Sequence, residues 1–274
     1  MSIIRKSVVA GAFYPGNSDI LKMEIENYLS KVKVKDTYEK ALGIVSPHAG
    51  YVYSGQCAAY GYKAIEQKNF DLAVIIAPSH NIAGYRFSVG NFDAYQTPLG
   101  IVPVEKEYVR KILDYPDFEF LPAAHSSEHS LEVQLPFLQV IKPNVEIVPI
   151  ILGNQNSKNS VILSEVLSQI FKNRLDKTVF IISSDLSHYY DSDTAIEKDN
   201  LLAENFQKGL IDKMEQDMHY KKIEACGIGG ILFLMHLAEK LKYKKIETLK
   251  YTHSGYINND FSQVVGYLSS IIYK

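Results

Sequence analysis

The chain has 274 residues, 46% of them hydrophobic, enough for the core of one large α/β domain. Its 29 basic and 31 acidic side chains leave a formal charge of −2, and no long Lys/Arg run supplies a nucleic-acid footprint. Two cysteines, Cys57 and Cys226, cannot form a disulfide framework for a chain of this length, which points to a reducing, cytoplasmic setting.

The start resembles a cramped signal peptide, but Pro15-Gly16 arrives too early, and the segment reads better as a first strand and turn. Helical patterning then covers residues 18–33 and 55–67, with a short aliphatic strand at 42–45 between them. A second strand is expected at 72–76, and residues 86–104 have strand character with no helix between. Helices at 105–113 and 131–141 precede a strand at 145–152. A helix at 158–171, a strand at 178–183 and a helix at 194–215 follow. The longest apolar run, 227–238, is interrupted by His236 and is too short to span a bilayer. It reads as a helix over 227–241, ahead of strands at 248–252 and 263–272. Alternation of this kind predicts a three-layer αβα sandwich with a central mixed sheet, spanning residues 1–274 as one domain.

Three aliphatic strands run into histidine-bearing polar turns: Ser46-Pro47-His48-Ala49-Gly50-Tyr51, Ala77-Pro78-Ser79-His80-Asn81 and Ser183-Ser184-Asp185-Leu186-Ser187-His188. Open α/β sheets bind ligands at the carboxyl ends of their strands, so the shared context favours function over packing. In the first two turns a proline just ahead of the histidine stiffens the turn and fixes where the imidazole points. His48 and His80 are therefore the better metal-ligand candidates. Asp185, three residues before His188, can orient that imidazole and set its tautomer, or it can cap a helix. His188 suits a general acid/base.

Cys226 stands in Ala225-Cys226-Gly227-Ile228-Gly229-Gly230, ahead of the apolar helix. There the helix dipole lowers a thiol pKa and favours a metal-binding thiolate, although a small buried packing residue fits the spacing equally well. Cys57, inside a helix, reads as packing. His125-Ser126-Ser127-Glu128-His129 matches the inverted zincin pattern, in which two histidines on one helical face bind zinc and the glutamate is the base. Ser126-Ser127 reads as a helix start, which leaves His125 outside the helix. Glu128, His129 and Glu132 fit better as substrate-contacting or ligand-orienting groups in the cleft. Gly227-Ile228-Gly229-Gly230 lacks the spacing of a phosphate loop. Among 19 tyrosines, Tyr51, Tyr53, Tyr189 and Tyr190 flank the histidine turns and are candidates to line an aromatic pocket.

Together these segments resemble the MEMO family, also called AmmeMemoRadiSam system protein B. The resemblance rests on Val9-Ala-Gly-Ala-Phe-Tyr-Pro15, Ser46-Pro-His-Ala-Gly-Tyr-Val-Tyr-Ser-Gly55 and Ala77-Pro-Ser-His80. It continues through Glu128-His-Ser-Leu-Glu-Val-Gln-Leu-Pro-Phe-Leu138, Ser183-Ser-Asp-Leu-Ser-His188 and Ala225-Cys-Gly227. It implies a fold similar to class III extradiol dioxygenases and one bound metal ion, Fe(II) foremost, with copper or zinc as alternatives. The implied ligands are His48, His80 and Cys226, with Asp185 and His188 beside the metal as catalytic groups; Glu128, His129 and Tyr51 stay substrate-contact candidates on their own positions in the sequence. A cysteine stands where the dioxygenases carry glutamate. A thiolate is softer and itself oxidisable, so dioxygenase activity does not follow from the fold. The resemblance implies a non-heme iron redox or oxygenase-like protein, with radical-SAM and AMMECR-type proteins as partners and a small molecule or peptide in the cleft. The alternatives are a peptide-binding module with an incidental metal, and a zinc hydrolase built on His125, Glu128 and His129.

Overall fold

A computed structural model describes residues 3–274. The chain opens with a two-residue strand, β1 (Ile4–Arg5), and a turn, then enters α1 (Ser18–Ser30), whose first amides are capped by the Asn17 side chain. Strand β2 (Ala41–Ser46), helix α2 (Tyr51–Ile65) and strand β3 (Leu72–Pro78) follow. The expected strand region 86–104 resolves into β4 (Phe87–Val89), β5 (Ala94–Thr97) and β6 (Gly100–Pro103). The last two leave the main sheet and form a three-stranded sheet with β1.

Helix α3 (Lys106–Leu113), strand β7 (Phe118–Glu119) and helix α4 (Pro122–Ser126) come next. The single helix expected over 131–141 is two pieces, α5 (His129–Glu132) and α6 (Leu135–Ile141), with Pro136 in the first turn of α6. Then come β8 (Glu146–Leu152), α7 (Ser157–Ile170) and β9 (Thr178–Ser183). Residues 185–190, expected as a turn, extend instead as β10 (Asp185–Tyr190). The helix expected over 194–215 divides into α8 (Ser192–Gln207) and α9 (Ile211–His219), because Gly209 takes a φ of +67° that ends the first. Helix α10 (Ile228–Lys240), strand β11 (Lys245–His253), helix α11 (Gly255–Asn258) and strand β12 (Val264–Tyr273) complete the chain.

The large sheet runs β10-β12-β2-β9-β3-β8-β4-β7, with β11 against β12. Its centre, β2-β9-β3-β8, is parallel, while β12 pairs antiparallel with β2, β10 and β11. The central strands are buried along their whole length apart from Glu146, and so read as unbroken aliphatic runs. Helices α1, α2 and α6 pack on one face; α10 and α7, with α3, α8 and α9 beside them, pack on the other. The fold is thus α/β, a mixed sheet between two helical layers. Strand β11 occupies one edge of β12. Strands β2 and β10 therefore share the opposite edge, β2 against residues 270–273 and β10 against 264–267. This sets β10 in line beyond the carboxyl end of β2, where His48 sits. Among the described residues no helix is long and apolar enough to cross a membrane.

Candidate metal centre

The carboxyl ends of β2, β9 and β3 lie side by side, since Ser46 is in register with Ser183 and Ile76 with Ile182. Each strand stops at a polar turn, so Pro47-His48, Ser79-His80 and Ser184-Asp185 emerge at one mouth. His129 arrives from another direction, as the first residue of α5. That helix is tied down by the Ser130 hydroxyl, which donates to the Pro78 carbonyl at 2.9 Å, and its N-cap is Glu128. The ligand atoms of His48, His80 and His129 all lie within 4.8 Å of one another. Their ring centroids are 4.6–5.6 Å apart. Cys226 approaches from the His48 side, with its Sγ 3.2 Å from His48 Nε2.

The electrostatics keep lone pairs available. Burial, and then the neighbouring His80 and His129, push the His48 pKa well below its ordinary value. Burial also lowers His129, against the opposing pull of Glu128. At neutral pH these two rings are neutral donors, the form a metal takes. Glu128, 1% exposed, accepts from the His80 backbone N–H at 2.6 Å, from His80 Nδ1 at 2.9 Å and from the Ser130 N–H at 3.0 Å. Burial acts to raise its pKa, but these hydrogen bonds outweigh it and hold the carboxyl down at about 2. An ionised carboxylate on Nδ1 leaves His80 Nε2 as the free donor.

Asp185 and His188 border this cluster, close enough for the His188 charge to act on the Asp185 carboxyl. The Asp185 carboxylate accepts from the His48 N–H at 2.7 Å and from the Ala49 N–H, and so shapes the His48 turn. Burial raises its pKa, against those two donors and the nearby His188. His188 is partly exposed on β10, where register shifts on both sides of it locally bend the strand. The helix cap expected of Asp185 falls to Asp191, which caps α8.

Cys226 is not the low-pKa thiol expected of a helix N-terminus. Helix α10 begins two residues later, and burial followed by the Asp185 carboxylate pushes the thiol pKa up. Its sulfur accepts from the Asp185 N–H at 3.2 Å. The loop is pressed so tightly on β9 that a Cβ at Gly227 would lie 2.4 Å from the Ser183 carbonyl oxygen. Cys57 is buried packing, as expected.

Three other expectations land elsewhere. The zincin reading fails because α4 ends at Ser126 and α5 starts at His129, so His125 and His129 share no helical face. His125 points into the protein, with Nδ1 2.8 Å from Tyr95 Oη and Nε2 3.0 Å from Ser88 Oγ. Glu132 faces no cleft. It is fully buried, pairs with Arg5, and accepts from the Val8 and Val9 amides and the Tyr14 hydroxyl. Tyr51 is 2% exposed and its hydroxyl donates to the Val133 carbonyl at 2.8 Å, a core position rather than a substrate contact. Sequence reasoning assigned no role to Gln134, a buried amide inside Leu131-Glu-Val-Gln-Leu-Pro. A polar residue amid an apolar run was the available signal.

The donor set fits a metal ion. Imidazole nitrogens and a thiolate suit zinc, copper or iron, and two such ligands on a tetrahedral ion lie about 3.5 Å apart, close to the Cys226–His48 separation. Comparison with known proteins finds relatives over almost the whole chain. The family model described as "Memo-like protein" matches residues 5–271. A MEMO1 family protein of Nitrosopumilus maritimus is 36% identical over 97% of this chain and 98% of its own length. MEMO1 family proteins of Thermotoga neapolitana and Methanobrevibacter smithii are 35% and 34% identical, each over 98% of this chain and at least 99% of their own length.

Proposed function

The chain belongs to the Memo-like protein family, and from that premise we propose that it binds one redox-capable metal ion for oxidative chemistry on a small molecule or peptide side chain. The carrying observation is the convergence of His48, His80 and His129 within 4.8 Å, with the Cys226 sulfur 3.2 Å from His48. Fe(II) is the proposed physiological ion, with copper and zinc competing for the same nitrogen and sulfur donors. Bound there, the ion would supply a Lewis-acidic, redox-active centre.

The chain's own residues do the rest. His48, His80, His129 and Cys226 would hold the ion, and the Cys226 S–H proton must leave for sulfur to join them, so uptake releases protons. Glu128 keeps the His80 ring in place through Nδ1. Asp185 fixes the backbone at His48 and Ala49. His188, at the cleft edge, takes or returns the substrate's proton. We further propose a cytoplasmic protein that works with radical-SAM and AMMECR-type partners.

Anaerobic purification and metal analysis of wild type, His48→Ala and Cys226→Ala test this reading. Close to stoichiometric metal in wild type and loss in both variants is expected. Undiminished metal in both variants sinks the assignment. His129→Ala, in the same series, separates a three-histidine site from one of two histidines and a cysteine. A peptide pull-down that survives metal removal and Cys226→Ala would favour a binding module instead.

A further inference from the structure

Behind His48 lies a closed chain of hydrogen bonds, and its protons can be placed one at a time. The Pro47 carbonyl oxygen only accepts, so the atom 3.1 Å from it is the Gln134 amide nitrogen, not the amide oxygen. That orientation also gives the Tyr62 hydroxyl its acceptor, Gln134 Oε1, at 2.7 Å. The second Gln134 N–H points at Ser183 Oγ, 2.8 Å away. Ser183 has one proton to give, and the Ser130 carbonyl, 2.6 Å from its oxygen, can only accept it. Toward His48 Nδ1, at 2.8 Å, the Ser183 oxygen is therefore an acceptor, and the ring nitrogen must carry the hydrogen.

We propose that Ser183, oriented by Gln134, is a positioning residue that fixes His48 as its Nδ1–H tautomer and turns the Nε2 lone pair toward Cys226, His80 and His129. A free imidazole in water favours the other tautomer, with the hydrogen on Nε2. The fold thus holds His48 in the less common form, ready to bind, and with its ring rotation fixed. The two acceptors that decide the outcome are backbone carbonyls just beyond β2 and in the first turn of α5, so the tautomer is set by the fold itself. Ser183, Gln134 and His48 are all at most 2% exposed, and water cannot offer a competing partner. The consequence for metal affinity rests on the metal-centre reading above. The tautomer does not.

Long-range ¹H–¹⁵N spectra of the metal-free protein at slightly alkaline pH read the tautomer directly. The His48 ring is identified by its loss in His48→Gln. A pyrrole-type Nδ1 and a pyridine-type Nε2 are expected in wild type. Ser183→Ala should shift the ring toward the Nε2–H form, and Ser183→Thr, which keeps the hydroxyl, should restore the wild-type pattern. Zinc titration against a chelator should show roughly 10–100-fold weaker binding in Ser183→Ala. A wild-type His48 protonated on Nε2 overturns the inference even if no variant folds, and so does an unchanged tautomer in folded Ser183→Ala. If wild type shows the expected tautomer but takes up no metal, the inference stands and the metal-centre reading fails.

Discussion

Two histidines, His48 and His125, are equally buried, at 2% and 1% exposure, and the fold uses them in opposite ways. Around His125 every polar atom is consumed. The Ser88 hydroxyl gives its proton to the Leu121 carbonyl and accepts from the Leu121 N–H, so His125 Nε2 carries a hydrogen and donates it to Ser88. Nδ1 then accepts from the Tyr95 hydroxyl. Around His48, Nδ1 is held by Ser183, and the partner of Nε2 is the Cys226 thiol, 3.2 Å away, whose proton a metal ion can displace. Two other imidazoles stand beside the ring. Burial alone therefore does not separate a structural histidine from a ligand. What separates them is whether the groups facing the ring nitrogens can themselves bind a metal.

The same division runs through the short segment that joins the two regions. Glu132 and Arg5, buried beside His125, form an ion pair that also ties down the N-terminal turn through the Val8 and Val9 amides. Removing one partner leaves an unpaired buried charge, and Glu132→Ala should cost about 3–5 kcal/mol in urea unfolding. The folded variant should still take up metal with affinity within a few-fold of wild type. Loss of metal binding without loss of stability would erase the distinction between the regions.

Four residues earlier, Glu128 belongs to the histidine cluster. Glu128→Gln replaces the carboxylate on His80 Nδ1 with a neutral amide, and metal affinity should fall roughly 10–100-fold, about 1.4–2.8 kcal/mol. Measured by chelator competition, an affinity equal to wild type would mean that the carboxylate does not orient His80. Of the pair, Glu128 should dominate metal binding and Glu132 should dominate stability.

What was legible in the sequence follows from what is local. The central strands could be read because burial on both faces demands unbroken aliphatic runs, and His48 and His80 because a rigid turn follows each strand directly. His129 was harder. His125-Ser-Ser-Glu-His129 looks like one helical motif, and only the break between α4 and α5 sends its two histidines to different regions. Residues 185–190 looked like a turn because Leu186 is their only aliphatic residue. Pairing with β12, which is distant in sequence, makes them a strand. The relation of Cys226 to His48 spans 178 residues; its local context left ligand and packing equally open, and the family resemblance favoured the ligand. Ser183 and Gln134 stayed unassigned because their role is a hydrogen-bond direction, which exists only once the chain is folded.

The smallest predicted effect sharpens the comparison by pH. Burial, followed by the charge of Arg5, lowers the His125 pKa from 6.5 to about 3. Between those values the unfolded chain holds more protons than the folded one, so stability is full above about pH 6.5 and declines as pH falls toward 3. From about pH 7 to about pH 5.5 this single group should remove about 1 kcal/mol. His125→Phe keeps a ring in the pocket but cannot titrate, and it leaves the Tyr95 hydroxyl without its acceptor. It should therefore be less stable than wild type at pH 7 by about 1–3 kcal/mol, and the gap should narrow by about 1 kcal/mol at pH 5.5. Protonation of the cleft histidines is common to both proteins and cancels in the difference. A gap that stays constant with pH would show that His125 accepts a proton in the folded state, and its pocket would then not be the closed, fully paired counterpart of the cleft.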